Sequence, residues 1–137
     1  MMRDFATIYA MNYQPEGYKE LLAYQLAFNE AMRLHWLLPN LPEDESPLVV
    51  KLREVSREVC THLAAAWEQR QYRNSFVARL TDAKAAAAKV QTWVAFSVEC
   101  GYLSVEDGQV HHDLCGDVLG EIEQLIRSAA IVVKIAG

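Results

Sequence analysis

The helical stretch from residue 76 to residue 102 constrains the fold of this chain more than any other feature. Apolar residues recur there at intervals of three and four, the spacing of one helical face. Five of residues 83–88 are alanine, so neighbouring backbones can approach toward the short end of the ~8–10 Å range of interaxial distances. Gly101 can adopt the left-handed conformation that ends a helix. The stretch is therefore predicted to be an inner helix of a tight bundle, with core positions Phe76, Leu80, Ala83, Ala87, Val90 and Val94.

A first helix is predicted over residues 18–38, because Pro39 and Pro42 end the pattern. Leu22 and Leu26 fall on its polar side, and two leucines stacked one turn apart are a candidate contact with another chain. The expected core side holds Leu21, Tyr24, Phe28, Ala31, Met32 and His35, and the expected wet side holds Gln25, Asn29, Glu30 and Arg33.

A second helix is predicted over residues 47–70, because Ser46 followed by Pro47 has the form of a cap with proline at the first helical position. Asn74 or Ser75 is the expected cap of the third helix, which is placed at residues 75–100. The core stripe of the second helix is Leu48, Leu52, Val55, Val59, Leu63 and Ala66.

A fourth helix is predicted over residues 105–136, with Ser104 as its cap. Gly116 and Gly120 lie one turn apart on its outer face, and each interior glycine costs roughly 1 kcal/mol relative to alanine. That cost suggests that another subunit approaches there, although a neutral accident is the alternative. The core stripe is His111, Leu114, Cys115, Val118, Ile122, Leu125, Ala129, Val132 and Ala136.

Four amphipathic helices joined by short connections predict an all-α protein, an antiparallel up-down-up-down four-helix bundle. The 137 residues suffice for one continuous core. We expect an N-terminal arm over residues 1–17 and the four-helix bundle domain over residues 18–137.

No apolar run reaches the ~20 residues that a membrane span needs, and the N-terminus lacks the pattern of a signal peptide. A cytoplasmic protein with no membrane partner is the expectation. The three cysteines, Cys60, Cys100 and Cys115, have no metal-like spacing and are expected to be buried, reduced thiols.

The net charge of −5 is unevenly distributed along the chain. Residues 51–89 carry eight bases and four acids, and the remainder carries five bases and fourteen acids. Such asymmetry can steer an anionic partner to one region. It can equally reflect helix faces that neutralise acidic neighbours within the bundle or between subunits.

The motifs of common active sites are absent from the sequence. No Glu-x-x-His pair of a di-iron bundle occurs, and no P-loop, dinucleotide glycine motif or nucleophile elbow is present. His111 and Cys115 face the predicted core while His112 and Asp113 point elsewhere, so two ligands at most could converge on a metal. We therefore predict no enzyme activity, no metal and no cofactor. A ligand or metal enzyme in the core would depend only on His35, His62 and His111, which lie near apolar faces.

Several short motifs occur in a recognisable order. They are Leu37-Leu38-Pro39, Leu41-Pro42-Glu43, Leu63-Ala64-Ala65-Ala66-Trp67, Tyr72-Arg73 with Phe76 and Leu80, the alanine-rich helix, and Cys100-Gly101-Tyr102-Leu103. In this order the segment from about Tyr18 to Ala130 resembles the bacterial four-helix-bundle family encoded by intervening sequences within 23S ribosomal RNA genes. That family includes the accessory variability proteins of diversity-generating retroelements.

The resemblance implies a ring-shaped homo-oligomer, typically a homopentamer, without enzymatic activity. We accordingly expect a scaffold or adaptor that binds another macromolecule, with Leu22, Leu26, Gly116 and Gly120 at the contacts between copies. The alternative implied by the retroelement branch is a nucleic-acid-binding accessory protein of a reverse transcriptase, although this chain departs from that branch in being acidic overall. Its nucleic-acid contacts would be Arg70, Arg73, Lys84 and Lys89.

Overall fold

The structure is a computed structural model that describes the backbone of residues 15–136 and the side chains of residues 15–129. Residues 1–14 of the predicted arm, and the side chains of Val132 and Ala136, lie outside the described part. The described residues form four α-helices and no strand, which confirms the all-α four-helix bundle. The helices are α1 (Leu22–Leu37), α2 (Ser46–Glu68), α3 (Arg73–Glu99) and α4 (Val105–Ala136). Short 3₁₀ turns occupy Tyr18–Glu20, Leu38–Asn40 and Glu43–Glu45.

Each helix packs against the next along the chain, and α1 also packs against α4. The four helices thus form a closed, four-sided bundle with four seams, a seam being the line along which two neighbouring helices meet. The α2–α3 seam is the most extensive and the α1–α4 seam the least. In a four-sided bundle these two seams lie on opposite sides of the molecule.

The predicted core stripes of α2, α3 and α4 are largely confirmed. Leu52, Leu63, Leu80 and Ile122 are fully buried, and such burial stabilises a fold by about 1.5–3 kcal/mol per side chain. The buried alanines of α3 agree with the prediction, and α3 takes part in the two most extensive seams, but in a four-sided bundle no helix is enclosed by the other three. Among the described residues, three predicted core positions are half-buried instead: Phe76, Leu114 and Ala129.

The predicted core face of the first helix is wrong except at Leu21, which is 1% exposed. Phe28 and Met32 are exposed, whereas Glu30, predicted to be wet, is 3% exposed. Apolar residues occur nearly all round this helix, so their spacing does not define one face. The small face of Ala23 and Ala27 is the one that approaches the neighbours, because alanine allows closer packing than the aromatic residues beside it. The other buried α1 residues, Glu30 and Leu34, lie on this same face.

Two helix boundaries follow the sequence, and two others do not. Gly101 has a φ of +79°, and Gly101 N and Tyr102 N donate to Val98 O and Ser97 O, which satisfies the last carbonyls of α3. Ser104 Oγ accepts a hydrogen bond from Asp107 N at 3.0 Å, which confirms the cap of α4.

The starts of α2 and α3 need correction. A 3₁₀ turn runs directly into α2, so Ser46 is the first residue of the helix and makes no side-chain cap. Phe76 N donates to Tyr72 O at 2.8 Å, so α3 begins at Arg73, and Asn74 and Ser75 lie inside it.

The cysteine prediction holds for two of the three thiols. Cys60 and Cys115 are buried, but Cys100 is exposed because it occupies the C-terminal cap of α3. Among the described residues, no helix combines the length and the apolar character needed to cross a membrane.

Candidate functional site

An apolar groove runs along the outer side of the α1–α4 seam. It encloses about 420 Å³, and Trp36 at its rim is 72% exposed. Contiguous exposed apolar patches mark surfaces that contact another molecule, and tryptophan is enriched among the residues that dominate binding energy. The groove residues are Leu26, Asn29, Met32, Arg33 and Trp36 of α1 and Leu114 of α4.

The four predicted interface residues lie on two separate surfaces. Leu22 is 40% exposed and precedes Leu26 by one helical turn, so both belong to one side of α1. Gly116 and Gly120 are exposed, and a Cβ added at either glycine would meet no atom within 4 Å. At 100° per residue they lie about 200° and 240° round α4 from Leu114.

We call these the α1 apolar surface (Leu22, Leu26, Met32 and Trp36) and the α4 glycine surface (Gly116 and Gly120 with the exposed acids Asp113 and Asp117). One chain does not bring the two surfaces together. Two copies could, because different patches are what a head-to-tail contact requires.

The four basic residues predicted for nucleic acid are spread over the bundle. Arg70 and Arg73 are exposed at the corner between α2 and α3, where the Arg70 guanidinium lies 4.2 Å from the centre of the Trp67 ring. Lys84 forms an ion pair with Glu123 of α4. Lys89 lies about 140° round α3 from Lys84, in a groove of about 450 Å³ on the α2–α3 seam, which it shares with Lys51, Glu54, Val55, Glu58, Ala88, Thr92 and Trp93.

A buried glutamate–histidine pair lies inside the bundle where the sequence predicted only a core histidine. Glu30 Oε1 of α1 and His111 Nδ1 of α4 are 2.6 Å apart and joined by a hydrogen bond. Their side chains are 4% and 7% exposed. Two lone pairs at this distance would repel, so a proton lies between the two atoms. The pair joins the two helices across the seam whose outer side carries the apolar groove.

The second oxygen of Glu30 is buried without a hydrogen-bond partner among the described residues. Beside Glu30 is a cavity of about 10 Å³, to which every helix contributes two residues, and this volume is at the lower limit for one water molecule. Burial raises the pKa of the Glu30 carboxyl, and His111 and Arg33 oppose that shift. The cavity is lined by Ala27, Glu30, Ser56, Val59, Ala87, Val90, Cys115 and Val118.

The buried thiols are poor nucleophiles. Burial and, to a smaller degree, the charge of Glu30 raise the pKa of Cys115 to about 12, and burial raises the pKa of Cys60 to about 11. As predicted, His111 and Cys115 face the core while His112 and Asp113 are exposed. Within residues 15–129, no group of three or more metal-ligating side chains is arranged to hold a metal ion.

Sequence reasoning missed two residues of these sites, Glu30 and Trp36. The only signal for Glu30 was a core-facing histidine that needed a partner, and periodicity counts any glutamate as a surface residue. Trp36 lies in the last turn of an apolar helix, and its exposure follows only from the orientation of α1 in the bundle.

The fold defines the chain as an all-α four-helix bundle protein. Comparisons of the chain with family models, with curated proteins and with solved structures find no significant match.

Proposed function

We propose that this protein is a non-enzymatic, cytoplasmic scaffold or adaptor that assembles into a ring-shaped homo-oligomer, a pentamer as in the family it resembles, and binds another macromolecule. The observation that carries the proposal is the α1 apolar surface, where Trp36 is 72% exposed. Within the described part of the chain, Met32 and Trp36 of this surface are exposed, and burying them against another copy is favourable by about 25 cal/mol per Å² of apolar area.

The contact joins the α1 apolar surface of one copy to the α4 glycine surface of the next. The glycines present a smooth backbone that large side chains can approach closely. Charge supports the same pairing, since Arg33 lies in the α1–α4 groove and the glycines are flanked by Asp113 and Asp117. Because the two surfaces differ, the contact repeats from copy to copy and closes into a ring when the rotation permits.

Such a ring leaves the α2–α3 seam, on the opposite side from the α1–α4 groove, for a protein partner. The groove on that seam has both charge signs and the half-buried Trp93. Phe96, 55% exposed, stands one turn away with its ring centre 5.8 Å from that of Trp93. Aromatic anchors surrounded by polar groups are typical of protein-binding surfaces.

The test is the mass of the assembly at micromolar concentration, measured by light scattering after size-exclusion chromatography. The wild-type chain of 15.5 kDa should elute as a homo-oligomer. Trp36→Ala should shift the protein toward the monomer without changing its helix content. The matched control is Phe96→Ala, which removes an exposed aromatic residue from the other side and should leave the mass unchanged. A wild-type monomer, or equal effects of both variants, would remove the proposal.

A second candidate function, a nucleic-acid-binding accessory of a reverse transcriptase, is supported by the corner between α2 and α3. Tyr72 is 67% exposed there, between the exposed Arg70 and Arg73. Exposed aromatic rings flanked by positive charges bind single strands by stacking and by phosphate contacts. Lys84 supports this candidate less, because Glu123 already neutralises it.

Fluorescence anisotropy with labelled single-stranded RNA and DNA tests this candidate. Binding should weaken steeply with added salt, and the double variant R70A/R73A should reduce it. Arg79→Ala, which removes an arginine already paired with Asp82, is the control. Failure of both nucleic acids to bind at ~50 mM salt would eliminate the candidate.

A further inference from the structure

The outer and inner sides of the α1–α4 seam are built from the same helical turns. On α1, the groove residues Asn29 and Arg33 are one position before and three positions after Glu30. On α4, the groove residue Leu114 is three positions after His111. The α1–α4 seam is also the least extensive of the four. A change at the buried pair therefore acts directly on the helix that carries the apolar surface.

We propose that the Glu30–His111 pair is a proton-operated latch, which holds α1 against α4 while it retains one proton and releases the seam when that proton leaves. This inference rests on the proposed function, because it makes assembly through the α1 apolar surface depend on pH. The latch itself is a property of one chain and can be tested without assembly.

The geometry makes the latch depend on a single proton. The two groups together carry no net charge when both ring nitrogens of His111 are protonated beside an ionised Glu30, or when a neutral ring faces a protonated carboxyl. When one proton passes to solvent, Nδ1–H can still donate to Oε1, but the pair then carries one negative charge on a carboxylate whose second oxygen has no hydrogen-bond partner among the described residues. The adjoining cavity holds one water at most, so the charge cannot be hydrated unless the helices separate. A buried negative charge without a positive partner strongly favours opening.

Among the described residues, no other positively charged side chain forms an ion pair with Glu30, so none balances the negative charge that remains when the proton leaves. Arg33 on α1 acts on Glu30 from a distance, and its side chain lies in the outer groove. Cys115 on α4 has its pKa raised to about 12, so it remains neutral over the same range. The residues that face the cavity from α2 and α3 carry no titratable side chain; they are Ser56, Val59, Ala87 and Val90.

The direction of the pH dependence follows from counting protons. In an opened seam the two side chains are hydrated, and the pKa values of hydrated histidine and glutamate are about 6.5 and 4.3. Between these values the open and closed forms both hold one proton, so opening does not depend on pH. Above about pH 6.5 the open form holds none, so opening should increase about tenfold for each pH unit. The rise should continue until the closed pair itself loses its proton.

Hydrogen exchange of the α1 amides, expressed relative to those of α2 in the same sample, measures the opening between pH 6 and pH 9. The ratio cancels the general effect of pH on exchange. In the wild-type chain, exchange of α1 should increase relative to α2 by about tenfold per pH unit above pH 6.5. In Glu30→Gln, which keeps the shape but cannot ionise, the ratio should be constant. Glu123→Gln, which removes the exposed pair with Lys84, should behave as wild type.

The mass of the assembly, measured over the same pH range, separates this inference from the proposed function. A wild-type protein that is monomeric at every pH contradicts only the proposed function, because the exchange ratio still measures the opening of the seam. A wild-type exchange ratio that does not change with pH overturns the latch, whatever the mass. The same conclusion follows if Glu30→Gln retains the wild-type slope. If Glu30→Gln does not fold, the wild-type ratio and the Glu123→Gln control still decide the question.

Discussion

The two exposed glycines of α4 separate the stability of one chain from the contact between chains. A Cβ added at Gly116 or Gly120 would meet no atom within 4 Å. Alanine is more favourable than glycine inside a helix by about 0.8–1 kcal/mol. Each of Gly116→Ala and Gly120→Ala should therefore raise the free energy of unfolding by about 1 kcal/mol.

The same two methyl groups should have the opposite effect on assembly. At a close contact, an added methyl group costs about 1–3 kcal/mol in overpacking, which is a factor of about 5–150 in affinity. If the next copy packs on Gly116 and Gly120, the variants should be more stable as chains and weaker as oligomers. A role confined to the single chain predicts the first change without the second.

Two measurements give these quantities. Urea unfolding followed by circular dichroism, at a concentration where the chain is monomeric, gives stability, and sedimentation velocity over a concentration series gives the assembly constant. Gly108→Ala is the control within the same helix, because its Cβ would clash with Val98 Cγ2 inside the bundle. That variant should be destabilised by overpacking. The reasoning is refuted if Gly116→Ala lowers the free energy of unfolding. It is also refuted if Gly116→Ala raises that free energy and strengthens assembly as well.

Three further predictions follow from the core. Ile122→Ala should lower the free energy of unfolding by about 2–5 kcal/mol in urea unfolding, since the side chain is fully buried. A thiol reagent should modify the native chain only at Cys100 and leave Cys115 unreacted until urea is added, because Cys115 is buried and its pKa is about 12; rapid native modification of Cys115 would contradict this. His111→Ala leaves Glu30 unpaired and should cost about 3–5 kcal/mol. Because burial raises the pKa of the Glu30 carboxyl, this cost should be smallest at acidic pH, where the carboxyl is protonated, and should grow as the pH rises; a cost independent of pH would refute it.

The sequence predicted the buried side of the helices that have a single apolar face, and it failed to predict the buried side of α1, which has apolar residues on all sides. In α2, Leu52 and Val59 repeat at intervals that leave no other face apolar, so the buried side follows from spacing alone. In α1, apolar residues occur on all sides, and small residues such as Ala27 decide which side approaches the neighbours. The spacing of apolar residues does not contain that information, because the choice of buried side depends on how closely two helix backbones can pack.

The sequence could indicate a candidate site only where a single residue was informative without knowledge of its neighbours in the fold. Gly116 and Gly120 stood out because interior glycines are costly wherever the helix lies, and both are exposed as predicted. Glu30 could not be found from its own position, because a buried carboxylate depends on a partner that is distant in sequence. Its partner, His111, was correctly predicted to face the core, and a buried histidine needs a hydrogen-bond partner that a carboxylate on the facing helix can supply.

The contact between copies is tested most directly by cross-linking in a chain whose native cysteines have been replaced. A cysteine in place of Leu22 or Leu26 is combined with a cysteine in place of Gly116 or Gly120. A disulfide forms only when the two Cα atoms come within about 4.4–6.8 Å, and the two surfaces of one chain point in different directions. Oxidation of at least one combination should give a ladder of cross-linked chains on a denaturing gel, while each single-cysteine variant gives none. If all four combinations remain monomeric, or if the α1 cysteines cross-link to one another, the α1 apolar surface does not pack on the α4 glycine surface of the next copy.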